Sequence, residues 1–144
     1  MSVDPPPAVN AGNDQSICTG SSTTLMASGG NNYTWSNGQT GASIMVSPTT
    51  TTTYTVEAMS PNGCIGTDDI IVTVNNLPTA SAGADQTICA GDNTVLFASG
   101  GTSYQWNTGD IGQAIFVAPT FTTTYTVTAT DGNNCSDTDE VVVN

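Results

Sequence analysis

The side chains with ordinary catalytic or ligating chemistry in this sequence are its cysteines and carboxylates. Four Cys and twelve Asp plus Glu stand in a chain with no His, Lys or Arg. A Ser or Cys nucleophile therefore has no imidazole to take its proton, and no lysine can form a Schiff base or clamp a phosphate. The cysteines fall into two pairs, Cys18 with Cys64 and Cys89 with Cys135, each 46 residues apart. No CxxC spacing and no His accompanies them, which is not the ligand pattern of a zinc site. An even count in a chain of this composition favours disulfides. The simplest pairing joins Cys18 to Cys64 and Cys89 to Cys135, and closing such a loop stabilises by roughly 4 kcal/mol in the chain-entropy model.

The acids recur in matched places: Asp14 with Asp85, Asp68 with Asp139, and Asp69 with Glu140. Carboxylates from neighbouring strands could supply part of the six to eight oxygens that calcium takes, although no loop has EF-hand spacing. Calcium is thus the one candidate ion, and no other cofactor is expected. The same acids read equally as solvated charges that keep sheet edges from pairing with other chains. Paired carboxylates also serve glycosidases, but no insertion is long enough to build a cleft beside them.

These residues are positioned by a duplication. A shift of 71 residues superposes the two halves without a gap, carrying Asp14-Gln15 onto Asp85-Gln86, Trp35 onto Trp106 and Cys64 onto Cys135. Roughly half of the aligned positions are identical. Within a repeat, period-two runs mark short strands around Leu25 and Ala27, Tyr33 and Trp35, and Ile44 and Val46. Others lie around Tyr54, Val56 and Ala58, and over Ile70, Val72 and Val74. Gly29-Gly30-Asn31-Asn32, Asn37-Gly38 and Pro61-Asn62-Gly63 supply the turns. Abundant Thr disfavours helix, and no helical period appears.

About seven short strands around one central Trp predict an all-β protein of two tandem immunoglobulin-like β-sandwich domains. Residues 1–7 read as a linker or an added start, 8–76 as the first repeat and 77–144 as the second. Asn75 to Thr79 spans at most about 17 Å and is stiffened by Pro78, so the domains are expected end to end. The fold raises a difficulty for the simple cysteine pairing. In an immunoglobulin topology the first inter-strand turn and the last hairpin turn lie at opposite ends of the sandwich, beyond disulfide reach. Either the first strand follows another path, or Cys18 bonds Cys135 across the junction; both remain open at the level of sequence.

Charge excludes further classes. A formal charge of −12 with no cationic side chain removes nucleic-acid binding and direct association with anionic membranes. No stretch approaches the apolar length of a membrane helix, and the start, with Pro5-Pro6-Pro7, has no signal-peptide pattern. The chain therefore reads as a piece of a longer exported protein.

Taken in order, Asp-Gln-x-Ile-Cys-x-Gly, Leu-x-Ala-x-Gly-Gly, Tyr-x-Trp, Thr-Thr-Thr-Tyr-Thr-Val and a final Cys form a recognisable signature. It resembles the immunoglobulin-like and PKD-like repeats of large secreted Bacteroidetes surface proteins, including gliding-motility adhesins of the SprB type. The resemblance covers nearly all of both repeats. It implies an extracellular, cell-surface location, long tandem arrays, and a role as stalk, spacer or adhesin whose partners are neighbouring repeats. Self-assembly into a filament and recognition of a surface glycan are the two other associations such a module invites.

Trp35 and Trp106, with Tyr33 and Tyr104, could serve as sugar-stacking platforms, but the core Trp of a sandwich is the preferred role, and Tyr54 and Tyr125 are assigned to the core with the two Trp residues. Met26 and Met45 change together to Phe97 and Phe116, out of phase with the inward residues. That places each pair as cross-strand neighbours on an outer face, where it could contact another chain or a ligand. The reading that follows is a non-catalytic structural or adhesive segment, with a carbohydrate- or other ligand-binding module as the alternative.

Overall fold

A computed structural model describes residues 3–144, so the first two residues of the predicted 1–7 linker lie outside the described part. The chain divides into two compact units, residues 1–75 and 76–144. Unit 1 contains β1 (Gln15–Cys18), β2 (Thr23–Met26), β3 (Asn31–Trp35), β4 (Ser43–Val46), β5 (Thr52–Met59) and β6 (Ile65–Asn75). Unit 2 contains β7 (Thr94–Phe97), β8 (Ser103–Trp106), β9 (Ala114–Val117), β10 (Thr123–Thr130) and β11 (Ser136–Val143).

In unit 1 one sheet has the order β1-β6-β5-β3, and β2 pairs with β4 in a second. Alternation along β5 buries Tyr54, Val56 and Ala58 and leaves Glu57 and Met59 outside. The same period buries Leu25 on β2 and Ile44 and Val46 on β4. These side chains meet Trp35, Ile70 and Val72 from the larger sheet in a single core. Two sheets enclosing one core between inward-facing alternate residues are a β-sandwich, and the strand order is immunoglobulin-like. Unit 2 repeats it, with β11-β10-β8 in one sheet, β7-β9 in the other, and Leu96, Trp106, Tyr125 and Val127 in its core. The protein is thus all-β, two tandem immunoglobulin-like domains. Antibody domains place a disulfide between the second and sixth sandwich strands, with a Tyr two residues ahead of its second Cys. Here Tyr54 is followed by Val56, and buried Leu25 fills the facing strand, so aliphatic packing occupies that position.

Two features depart from the strand expectations. The last strand of the first repeat was expected over Ile70 to Val74, but β6 begins at Ile65. Its first half pairs fully with β5, from Met59↔Ile65 to Val56↔Asp68, although Gly66 and Asp68 hide the period. The second departure is β1, which runs parallel to β6 with Gln15↔Val72 and Cys18↔Asn75 in register. Upstream, Asn10 pairs with Ser28 at the end of β2, through N–H to carbonyl bonds of 2.9 Å in both directions. The entering chain therefore begins against one sheet and crosses to the other. At the start of the described chain, the Cys64 Sγ lies 3.7 Å from the Asp4 carbonyl oxygen.

The crossing needs room at one residue. Gly29 has φ of 94°, and a Cβ there would stand 2.0 Å from the Ala8 carbonyl oxygen. Its counterpart Gly100 has φ of 99°, and a Cβ there would stand 1.8 Å from the Thr79 oxygen. Left-handed backbone alone costs a residue with a Cβ roughly 1–2 kcal/mol, and the overlap with main chain adds to it. Gly100→Ala is expected to destabilise unit 2 by more than ~2 kcal/mol. Gly91→Ala, also at positive φ but with open space around it, should cost only the backbone strain. Urea unfolding of the two variants side by side checks the difference.

Candidate functional site

The strand switch decides where the reactive side chains lie. Cys18 closes β1 opposite Asn75, the last residue of β6, and the Thr19 N–H donates to the Asn75 carbonyl at 2.9 Å. Cys64 sits in the β5–β6 turn immediately ahead of Ile65, where its N–H donates to Ser60 Oγ at 3.1 Å. The whole of β6, 11 residues, separates them. At the rise of an extended strand that is about 35 Å, against a Cα separation of at most ~7 Å in a disulfide. In unit 2, Cys135 precedes β11, while the Ile88 N–H donates to the Asn144 carbonyl beyond the far end of β11. Cys89 therefore stands at the opposite end from Cys135.

The expected pairing within each repeat is corrected accordingly. Cys18 and Cys135 are the disulfide-bonded cysteines, whereas Cys64 and Cys89 are free thiols. The four residues also differ in exposure. Cys135 is buried and Cys64 half-buried; Cys18 is half-buried and Cys89 exposed.

The matched carboxylates are occupied by backbone. Where the chain crosses between sheets, its N–H groups lose their ladder partners and must be satisfied otherwise. Asp68 Oδ2 accepts from the N–H of fully buried Ala11 at 2.8 Å, and Asp14 Oδ1 accepts from the Ile71 N–H at 2.9 Å. Unit 2 repeats both bonds, Asp139 to Ala82 at 2.8 Å and Asp85 to Val142 at 2.9 Å. The third pair lies outside this arrangement: Asp69 accepts from Thr55 Oγ1 at 2.7 Å, and Glu140 from Thr126 Oγ1 at 3.4 Å. Among the described residues, no three acidic or cysteine side chains gather as a metal-binding group.

A glutamine that sequence reasoning quoted only as part of a motif completes the crossing. Gln15 Nε2 donates to the Thr24 carbonyl at 3.0 Å, and its Oε1 accepts from Thr23 Oγ1. It ties β1, on one sheet, to β2, on the other. Gln86 does the same with Val95 and Thr94. The signal for this role was the Asp-Gln match at the 71-residue shift, which carries no indication of a partner strand.

The aromatic residues are placed as expected. Trp35 and Trp106 are 2% exposed, and their Nε1 groups donate to Gly41 at 2.9 Å and Gly112 at 3.0 Å. Tyr54 and Tyr125 are buried in the two cores. Tyr33 and Tyr104 are half-buried, each hydroxyl bonded to both polar groups of Gly30 or Gly101. Neither Trp offers an open face for a sugar. Met26 lies opposite Ser43, and Met45 opposite Thr24, which makes the two diagonal neighbours on the outer face of β2–β4. Phe97 and Phe116 stand in the same relation on β7–β9, 64% and 78% exposed.

If the carboxylates serve the crossing, their loss should act through stability. Asp139→Ala is expected to cost about 1.5–3 kcal/mol, the range for a hydrogen bond to a charged acceptor, while Glu140→Ala should stay within ~0.5 kcal/mol as a surface change. Chemical denaturation of both variants measures this. Thermal transitions recorded in calcium and in EDTA are expected to coincide.

No protein-family model matches the sequence, and no match was found among curated proteins. Among solved structures, the chain is similar to Sidekick-1 immunoglobulin domains 1–4 at 14% identity, covering 96% of this chain and 48% of that one, with a TM-score of 0.49. It is likewise similar to an E-to-A variant of titin domains I67–I69 at 13% identity, covering 98% of this chain and 66% of that one, with a TM-score of 0.48. For the two-domain DIP-gamma IG1+IG2 the identity is 14%, both coverages are 98% and the TM-score is 0.42. The chain thus spans about half the length of the Sidekick-1 structure. The fold itself rests on the strand order and register of each unit.

Proposed function

We propose that this chain is a non-catalytic structural or adhesive repeat segment of a bacterial cell-surface protein, a stalk, spacer or filament-forming module. The observation that carries the reading is the use of the polar residues the two units share. Asp14 and Asp85, Gln15 and Gln86, Asp68 and Asp139, and both Trp indoles all bond main chain within their own unit. A catalytic repeat would hold some shared polar groups in reserve for substrate. In this chain the motif residues maintain the sandwich, and no His, Lys or Arg stands beside them to run acid–base or covalent chemistry. A chain of −12 charge with no compensating cation repels its own copies, which suits an array that must remain dispersed outside the cell. The disulfide state of Cys18 and Cys135 accords with an oxidising compartment.

The alternative, a carbohydrate- or other ligand-binding module, is favoured by one feature. Phe97 and Phe116 present aromatic surface to solvent on unit 2. A glycan array probed with the chain and with Phe97→Ala/Phe116→Ala separates the readings. No saturable binding is expected; binding to a defined glycan that the double variant loses would replace the structural reading with the ligand-binding one.

A further inference from the structure

We propose that the open edge of β9 in unit 2 is an interface between two copies of this chain, β9 of one pairing antiparallel with β9 of the other about a two-fold axis. The proposal deepens the structural-module reading above, on which it rests, by naming a contact and its partner.

The first observation is an unpaired main-chain edge. Among the described strands, β9 is hydrogen-bonded only to β7. The Ala98 N–H donates to the Gln113 carbonyl at 2.8 Å, so the bonded pairs of this ladder continue at Leu96–Ile115 and Thr94–Val117. Val95–Phe116 and Phe97–Ala114 are the intervening pairs, whose main-chain groups point away from each other. On the β7 side those groups are occupied. The Val95 carbonyl accepts from Gln86 Nε2 at 3.1 Å, and Ser81 bridges Ser99 just beyond the strand. On the β9 side, Ala114 and Phe116 bond to no main chain among the described residues. A constant-type immunoglobulin sandwich has a further strand on this edge. Here the chain passes from β8 to β9 through residues 107–113 without one.

The second observation is the chemistry of the strands. Val95 and Phe97 on β7, with Ala114 and Phe116 on β9, make up the outer face, and all four are apolar. Neither strand contains Pro or a charged residue, the usual protections of an open edge. Unit 1 has Thr24 and Ser43 beside Met26 and Met45 at the matching positions, so its face is half polar.

A second copy fits both observations. An antiparallel edge is complementary to itself across a two-fold axis. With Ala114 opposite Phe116 of the second copy, each residue donates its N–H and accepts at its C=O. The outer face then continues across the axis, from Val95 and Phe116 to Ala114 and Phe97 of the second copy, small beside large in each row. None of the twelve acids lies on β7 or β9, so the copies meet through a part of the molecule that carries no charge. A basic partner would find no carboxylate on these strands. Two chains of −12 still repel at a distance, and screening by salt removes that repulsion while leaving the contact intact.

Sedimentation equilibrium of the chain tests the proposal, in a Cys64→Ser/Cys89→Ser background that prevents dimers by thiol oxidation. A monomer–dimer equilibrium is expected. Its Kd should fall about tenfold or more between ~0.01 M and ~1 M NaCl, as the screening length contracts from about 30 to about 3 Å. Hydrogen exchange of the Ala114 and Phe116 amides should slow as dimer accumulates. Phe116→Glu should abolish the dimer, and Met45→Glu, which adds the same charge at the matching site of unit 1, should leave it unchanged. Circular dichroism is expected to show both variants folded. A chain that stays monomeric at every concentration and salt, or a dimer that weakens as salt rises, overturns the proposal. So does a dimer that survives Phe116→Glu, or one that forms without slowing those two amides. None of these results touches the structural-module reading, which fails on the glycan array instead.

Discussion

Each unit depends on getting its entering chain from one sheet to the other without stranding buried polar groups. The segment starts as a partner of β2, through Asn10 and Ser28, and ends as a parallel partner of β6, through Gln15 to Cys18. Between these, Ala11 is fully buried and its N–H has no strand to donate to. An unsatisfied buried amide costs on the order of 1–3 kcal/mol, a large share of what a small sandwich has in hand. Asp68 removes that cost, Asp14 anchors the far side of the crossing, and Gln15 holds the two sheets at their shared edge. Gly29 lets the chain pass close enough for those bonds to form. The same four types recur in unit 2 as Asp139, Asp85, Gln86 and Gly100.

This constraint explains why side chains that could do chemistry do architecture instead. A carboxylate oxygen that accepts from a main-chain N–H is committed to that partner and less free to meet a ligand. Features not absorbed in this way are of two kinds. One is the apolar diagonal on the outer sheet face, Met26 with Met45 and Phe97 with Phe116. The other is the cysteines, which the crossing delivers to opposite ends of each sandwich. Parallel pairing of β1 with β6 carries Cys18 to the end of the last strand, and the β5–β6 hairpin holds Cys64 at its beginning.

The core was legible residue by residue. Leu25, Ile44, Val46, Tyr54, Val56 and Val72 alternate with polar neighbours, and each is buried. Alternation is a local property of an extended chain, so it survives without knowledge of the partner strand. Met26 and Met45 were readable for the same reason, because being out of phase with the core is also local. The beginning of β6 was not readable, because Gly66, Thr67, Asp68 and Asp69 have no apolar period; their strand character comes from eight residues of pairing with β5. The job of Gln15 was hidden too, since it is defined by a strand that is adjacent only in the folded state.

By itself the sequence determined the duplication, the all-β sandwich architecture, the inward residues of both cores and the lack of a cationic or imidazole side chain for catalysis. These follow from periodicity and composition, which need no three-dimensional information. Only the tertiary structure decided how the cysteines are used. Sequence separation treats Cys18 and Cys64 as natural partners, but an 11-residue strand is a rigid spacer of about 35 Å. Register along β6 puts them at its two ends, and a bond of fixed length cannot follow the sequence there. Tertiary structure likewise decided that the matched aspartates hold the strand switch, because the amides they satisfy are brought to them from 57 residues away.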